Sequence, residues 1–287
     1  MSAQGIASQT GSGPEPPNSP LNQGRPHSAR MYDYFLGGKD NYVADRQAAA
    51  KVLTLWPGVM IAARTNRAFM QRAVRFLAAE RGIRQFLDIG TGIPTRPNLH
   101  EVAQSVAPES RVVYVDNDPI VLAHAQALLR SAPQGRTAYV HADITEPKTI
   151  LTSPDLTGVL DLSQPVALSL VSLMHFVPDE WDPYGLVQRL VEPLAPGSYL
   201  VLSHITPDFD PEATQKTVQV YHSQGIEGKI RTRDEVERFF TGLELVEPGL
   251  EVPHRWRTDL AAADSLVETG DVTDEEVSFW AGVARRP

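Results

Sequence analysis

Three carboxylates and two glycines in this 287-residue chain are spaced for cofactor chemistry. Asp88, Gly90 and Gly92 stand as D-x-G-x-G at the end of an apolar run, with Thr91 between the glycines. Without side chains at Gly90 and Gly92 the backbone turns sharply and can approach a ligand closely. A carboxylate at that point would repel a pyrophosphate, and Thr95 occupies the sixth position of the G-x-G-x-x-G dinucleotide pattern. S-adenosylmethionine carries an ammonium and a sulfonium and no phosphate, so Asp88 favours it over NAD. The plain alternative for Asp88 is a turn or helix cap.

Two further acidic residues fall where a nucleoside would need them. Asp116 ends a second apolar run, RVVYVD, and a carboxylate there can accept from both ribose hydroxyls. This serves NAD and S-adenosylmethionine equally, and a simple turn role in Asp116-Asn117-Asp118-Pro119 competes with it. Asn117 would flank the adenine. Asp143 ends AYVHAD, where its carboxylate can accept from the adenine amino group while Ile144 packs on the ring; helix capping is the alternative. His175 is the best-placed candidate base, should the methyl acceptor have to lose a proton. It could equally bond a backbone carbonyl and orient its loop. His100, His141 and His204 carry less support.

The elements that must position these residues follow from periodicity. Gln85–Ile89 reads as a short buried strand and the segment from Leu99 as a helix, with Pro97 acceptable at its first position. Arg111–Asp116 and Ala138–Asp143 read as strands two and three, with a helix over 119–130 between them. Val166–Leu173 suits a strand buried on both faces, followed by a helix over 179–194 and a fifth strand, Tyr199–Ser203. Strand and helix alternating in this way predict a doubly wound, parallel α/β sheet whose ligands bind at the strand carboxyl ends. Downstream, 211–222 and 233–240 read as helices, and 243–246 and 279–284 as two last strands.

Upstream, residues 1–27 are rich in Gly, Pro, Ser, Asn and Gln and read as a disordered tail. The rest, 28–287, reads as one domain with 28–82 as an N-terminal helical cap. Within that cap, Tyr32, Tyr34, Phe35 and Tyr42 predict a lid over the acceptor, with Gly37-Gly38 as a flexible turn; a helix packing its aromatics on the core is the alternative. Arg64, with Asn66 and Arg67, is placed to bind a carboxylate or the lid.

A net charge of −9 offers no basic field, which points away from nucleic acid and anionic membrane and toward a small-molecule acceptor. With no cysteine there is neither a disulfide nor a thiolate metal site, and no His or carboxylate cluster suggests another metal. No apolar run approaches the ~18 residues of a membrane span, and no secretion-signal core is recognisable, so the expected location is the cytoplasm.

Taken together, the D-x-G-x-G turn, Asp116, Ala142-Asp143-Ile144 and the segment LMHFVPD after strand four resemble class I S-adenosylmethionine-dependent methyltransferases. More narrowly, SARMYDYFLGGKDNY, FLDIGTGIPTRPNLHEVAQ, VVYVDNDPIVLAHA and PGSYLVLSH resemble an actinobacterial family of S-adenosyl methyltransferases once catalogued only as a domain of unknown function. The resemblance implies a seven-stranded Rossmann-like sheet with a reversed last strand and S-adenosylmethionine as cofactor. It places Asp88, Gly90 and Gly92 at the methionine part, Asp116 at the ribose and Asp143 at the adenine. The chain departs from many methyltransferases in having Pro94 where they carry a third glycine. Two other readings stay open: a non-catalytic S-adenosylmethionine-binding regulator and an NAD(P)-dependent oxidoreductase.

Overall fold

Apolar runs broken by glycine and proline turns assemble into one seven-stranded sheet in a computed structural model that describes residues 24–128, 130–261 and 271–287. The strands are β1 (Gln85–Ile89), β2 (Arg111–Asp116), β3 (Arg136–His141), β4 (Ala167–Val171), β5 (Tyr199–Ile205), β6 (Glu244–Leu245) and β7 (Phe279–Arg285). Their order is β3-β2-β1-β4-β5-β7-β6. β1 to β5 run parallel, and β7 pairs antiparallel with both β5 and β6, which gives the reversed last strand. The strand order changes direction between β1 and β4, which opens the crevice where doubly wound sheets bind ligands.

Alternation along the strands divides the core into two layers. Phe86, Val112, Tyr114, Val201 and Val283 point to one face and pack under the long helix. Leu87, Val113, Leu168, Leu170 and Leu202 point to the other. Helices α1 (Ser28–Phe35), α2 (Val43–Leu55) and α3 (Val59–Glu80) precede the sheet; α4 (Leu99–Val106), α5 (Pro119–Leu128), α6 (Pro147–Leu151), α7 (Pro154–Thr157), α8 (Pro183–Val191) and α9 (Pro211–Ser223) interleave with it. A third apolar cluster joins Met31, Phe35, Val52 and Trp56 of the N-terminal segment to Ile205 and Phe279 at the carboxyl edge of β5.

Several boundaries differ from the sequence reading for local reasons. α4 starts at Leu99, not at Pro97, because Asn98 is its N-cap and the Glu101 carboxylate accepts from the Asn98 amide at 2.7 Å. β3 occupies 136–141, so Asp143 lies in the turn beyond it. The expected 179–194 helix is split: Asp182 takes a left-handed conformation, φ 52°, separating a 3₁₀ turn at Asp179–Trp181 from α8, which starts at Pro183. The segment 233–240 is likewise a short helix, Arg233–Glu237, continued by a 3₁₀ turn.

The expected tail divides at residue 24. Residues 1–23 lie outside the described residues, whereas Arg25 and His27 are built into the fold. The Arg25 carbonyl accepts from Arg30 at 2.7 Å, and the His27 amide donates to Asp45 at 2.9 Å. The Gly37-Gly38 turn is not a loose hinge. Asp33 accepts from the amides of Gly38, through its carbonyl, and Asp40, through its carboxylate, and from the Asn41 side chain. A Cβ on Gly38 would fall 1.9 Å from the Asp33 carboxylate.

Candidate functional site

The turn after β1 is shaped by positive φ at Gly90 (73°) and Gly92 (67°), a conformation that disfavours any residue with a Cβ. The Gly90 amide donates to the Val115 carbonyl at 2.8 Å, so the turn hangs on the end of β2. A Cβ on Gly90 would lie 2.6 Å from Leu173, while one on Gly92 would project into open space. Gly90 thus lets the loop after β4 close over the turn, and Gly92 presents bare backbone to a ligand.

Asp116 stands opposite this backbone. It is 7% exposed; one carboxylate oxygen accepts from Gly92 and the other from Asp118, both at 2.9 Å. Each oxygen keeps a lone pair for a second donor. Burial raises its pKa, against the pull of those two amide hydrogen bonds. Asp88 is pushed up to about 6, chiefly by burial, with the Ser169 hydroxyl and the charge of Arg67 acting the other way and Asp116 adding repulsion. Two neighbouring carboxylates held in a poorly solvated crevice form a cation-seeking site.

Both line a cleft of about 1430 Å³, counting the open space at its mouth, that runs across the carboxyl ends of the strands. On the side of β1 to β3 the wall is Asp88, Gly90 to Gly92, Asp116, Asn117 and Ile144. Asp143 is not in the wall. Its carboxylate is held by the Asn117 side chain at 2.7 Å and by the Thr145 amide and hydroxyl; burial raises its pKa, but these bonds together bring it below the usual value.

On the side of β4, β5 and β7 the wall is apolar and aromatic, including Tyr32, Phe35, Trp56, Phe176 and Phe279. Of the predicted lid residues, Tyr32 and Phe35 reach the cleft. Phe35 is a 2%-exposed core side chain of a packed helix, and the Tyr32 hydroxyl donates to the Ala63 carbonyl and accepts from Asn66, each at 3.0 Å. Tyr34 packs among the N-terminal helices, and Tyr42 caps α2 under the Arg30 guanidinium. Arg64 is exposed and lies outside the cleft. Arg67, one residue beyond Asn66, lines it instead and donates to the carbonyls of Thr95 and Pro97.

His175 reaches the cleft but is a poor base. Burial, and then the positive charge of Arg231, lower its pKa to about 3, so it is neutral at physiological pH. A base that works near neutrality needs a pKa near the operating pH. Arg231 is fully buried and bonds the Met174 and Val177 carbonyls, Asp179 and the His204 ring, which fixes the loop carrying His175. Neither His100 nor His204 is a site residue: His100 is paired with the Tyr114 hydroxyl at 2.8 Å and His204 with the Ile205 carbonyl at 2.6 Å.

Sequence reasoning missed the residues that join the two walls. Arg30, 2% exposed, donates to Asp45 at 2.9 Å and to Asp118 at 3.0 Å, tying α1 and α2 to the loop that presents Asp116. Their only signal was charge inside otherwise apolar helical patterns. Among the described residues no cluster of three or more His, Asp or Glu side chains could hold a metal, and no helix is long and apolar enough to cross a membrane.

Known proteins give this geometry its context. No curated protein matches the chain. A crystal structure of a DUF574 family protein from Streptomyces avermitilis is 51% identical over 93% of this chain and all of its own, with a TM-score of 0.89. A candidate methyltransferase from Thermobifida fusca is 41% identical over 93% of this chain and 97% of its own, with a TM-score of 0.83. The plantazolicin methyltransferase BpumL, solved with S-adenosylhomocysteine, shares the fold at 14% identity, covering 90% of this chain and 95% of its own with a TM-score of 0.52. The family profile described as S-adenosyl methyltransferase spans residues 14–287. With its sheet order, its glycine turn and a carboxylate at the end of β2, the chain belongs to that family and is an S-adenosylmethionine-dependent methyltransferase.

Proposed function

We propose that the chain transfers a methyl group to a small molecule held at the β4–β5–β7 end of the cleft, with the cofactor at the β1–β3 end. The observation that carries this reading is the continuity of one cleft from Asp116 to His175, polar at one end and apolar at the other. Asp88 would face the cationic part of the cofactor, Gly90 to Gly92 its backbone approach and Asp116 its ribose hydroxyls. Ile144 would pack on the adenine and Asn117 would flank it. Asp143 would act at one remove, orienting Asn117, with a lone pair left for the adenine amino group.

When bound, S-adenosylmethionine supplies a methyl group already activated by its sulfonium. The chain's own task is then alignment and exclusion of water. Phe35, Trp56 and Phe279 keep the acceptor end dry, and Asp88 fixes the sign of the charge it admits beside the turn. We also propose that residues 28–287 act as one unit with 28–82 as its cap, since Ile205 and Phe279 pack in the same cluster as Met31 and Val52.

Calorimetric titration of the wild type with S-adenosylmethionine, S-adenosylhomocysteine and NADH tests the cofactor end. Selective binding of the two adenosyl ligands is expected. Tight NADH binding with neither adenosyl ligand bound would overturn the assignment.

A further inference from the structure

The deep end of the cleft, which holds the methyl acceptor if the proposed function is right, carries chemistry of its own. His175 sits among aromatic rings, 4.4 Å from Phe176 and 5.8 Å from Phe279 between centroids, and Phe176 is 5.7 Å from Tyr221 of α9. Tyr221 lines the cleft, and burial alone raises the pKa of its hydroxyl. His175 Nδ1 and, on α9, Thr217 Oγ1 are buried and have no hydrogen-bond partner among the described residues. Buried polar atoms seldom stay unpaired, so two of them beside one chamber point to a ligand that supplies the missing partner.

Charge narrows the ligand. Lys229 and Arg231 are the cations nearest the chamber, and both are paired with Asp179, at 3.2 and 2.7 Å. Asp88 serves the opposite end. The single Asp179 carboxylate is shared by two cations, so none is left to pair an ammonium, and a cationic acceptor would be buried without a counter-ion, which is strongly disfavoured.

The surroundings of His175 narrow the reacting atom. A histidine that takes a proton is normally backed by a carboxylate, which stabilises the imidazolium. Behind this one stands the His204 ring, 5.5 Å away edge-on, and behind that Arg231, 2.9 Å from His204 Nε2. With cationic charge at its back, His175 accepts a hydrogen bond without accepting the proton. A phenol or alcohol would have to be deprotonated; an uncharged amine already presents its lone pair.

We infer that the acceptor is an uncharged, flat aromatic amine, seated among Phe176, Tyr221 and Phe279, with its N–H held by His175 and the Tyr221 oxygen. The nitrogen lone pair forms the new N–C bond while the bond from the methyl carbon to sulfur breaks and leaves its electron pair on sulfur. The N–H proton is released to water afterwards, from a nitrogen that methylation has made acidic.

Three bicyclic probes of one size test this at pH 7.5 on the full chain loaded with S-adenosylhomocysteine: indoline, indan-5-ol and 2-aminoindane. Indoline should bind, and the ammonium probe should bind at least about tenfold more weakly. Tyr221→Phe should weaken indoline about fivefold, the worth of one neutral hydrogen bond, and leave the affinity for S-adenosylhomocysteine unchanged. With S-adenosylmethionine, mass spectrometry should show N-methylindoline forming faster than the methyl ether of indan-5-ol. No binding of indoline to the loaded protein, equal or tighter binding of the ammonium probe, or faster transfer to the phenol would each overturn the inference. Binding of S-adenosylhomocysteine itself is measured first, so that a failed cofactor site is distinguished from a wrong acceptor class.

Discussion

The two ends of the cleft are built in different ways. The cofactor end is made of backbone and short polar side chains from three consecutive strand-turn units: Gly90 to Gly92 after β1, Asp116 and Asn117 after β2, and Ile144 after β3. The acceptor end is made of bulky side chains brought from distant parts of the chain, Phe35 and Trp56 from the N-terminal helices, Tyr221 from α9 and Phe279 from β7. On the proposed reading, the first end recognises a constant ligand by hydrogen bonds that the sheet itself positions. The second is a shape that packing defines, which would leave the acceptor free to differ where the cofactor does not.

If the ends are separate in function, they are still joined by the buried ion cluster of Arg30, Asp45 and Asp118. Breaking it should give the largest effect. Arg30→Met strands two buried carboxylates, and removing one partner of a buried pair costs about 3–5 kcal/mol. Urea denaturation at pH 7.5 should show that loss, and the affinity for S-adenosylhomocysteine should fall too, because the Asp118 amide holds Asp116. Lost stability with unchanged affinity would mean that the two ends do not communicate through the cluster.

Asp116→Ala attacks the cofactor end alone. It removes the acceptor of the Gly92 and Asp118 amides together with the proposed ribose contact, a loss of about 1–3 kcal/mol, or roughly 5- to 150-fold in the Kd for S-adenosylhomocysteine by calorimetry. An unchanged Kd would remove Asp116 from the cofactor site and leave the polar end without its main anchor.

The same contrast explains what the sequence disclosed. The polar end, proposed for the cofactor, was legible as a place in the fold because each of its residues lies next to a strand that periodicity identifies, so type and position coincide in short motifs. The number of strands and the reversed last strand followed from the family resemblance. The other end was not legible: Trp56, Thr217 and Tyr221 lie in or at the end of helices whose relative placement no local pattern encodes, and of Arg64, Asn66 and Arg67, named together, only Asn66 and Arg67 line the cleft. Tyr34 and Tyr42 have the right composition for a lid, but Tyr34 packs among the N-terminal helices and Tyr42 caps α2. His175 lines the cleft, yet its basicity depends on its burial and then on Arg231, which lies beyond α9 in the chain.

The pH dependence of cofactor binding probes the charge of the polar end. Asp88 has its folded-state pKa raised to about 6 from the ordinary carboxylate value of 3.8. The sign for stability is therefore unfavourable above that value: the contribution is fully present below pH 3.8 and is lost as the pH rises through about 6. Binding of S-adenosylmethionine should run the other way, since its cationic groups favour the ionised carboxylate. Affinity should rise by up to about tenfold per pH unit, ~1.4 kcal/mol, from about pH 5 toward pH 6 and level off near pH 7. Asp88→Asn should flatten the profile. A wild-type profile flat across that range would show that Asp88 does not face the cationic part of the cofactor.

The smallest effect belongs to the acceptor wall. Tyr32→Phe deletes a hydroxyl that donates to the Ala63 carbonyl and accepts from Asn66, and so unties α1 from α3 without emptying the space its ring fills. The Asn66 amide then loses a partner, and Asn66 Oδ1 already has none among the described residues. Net hydrogen-bond contributions of this kind are about 1 kcal/mol, so a small drop in unfolding free energy is expected in urea. Affinity for S-adenosylhomocysteine should not change, because no atom of the polar end depends on that hydroxyl. A Kd that moved as far as the stability would show the aromatic wall to be part of the cofactor site, and the division of the cleft into two ends would then be wrong.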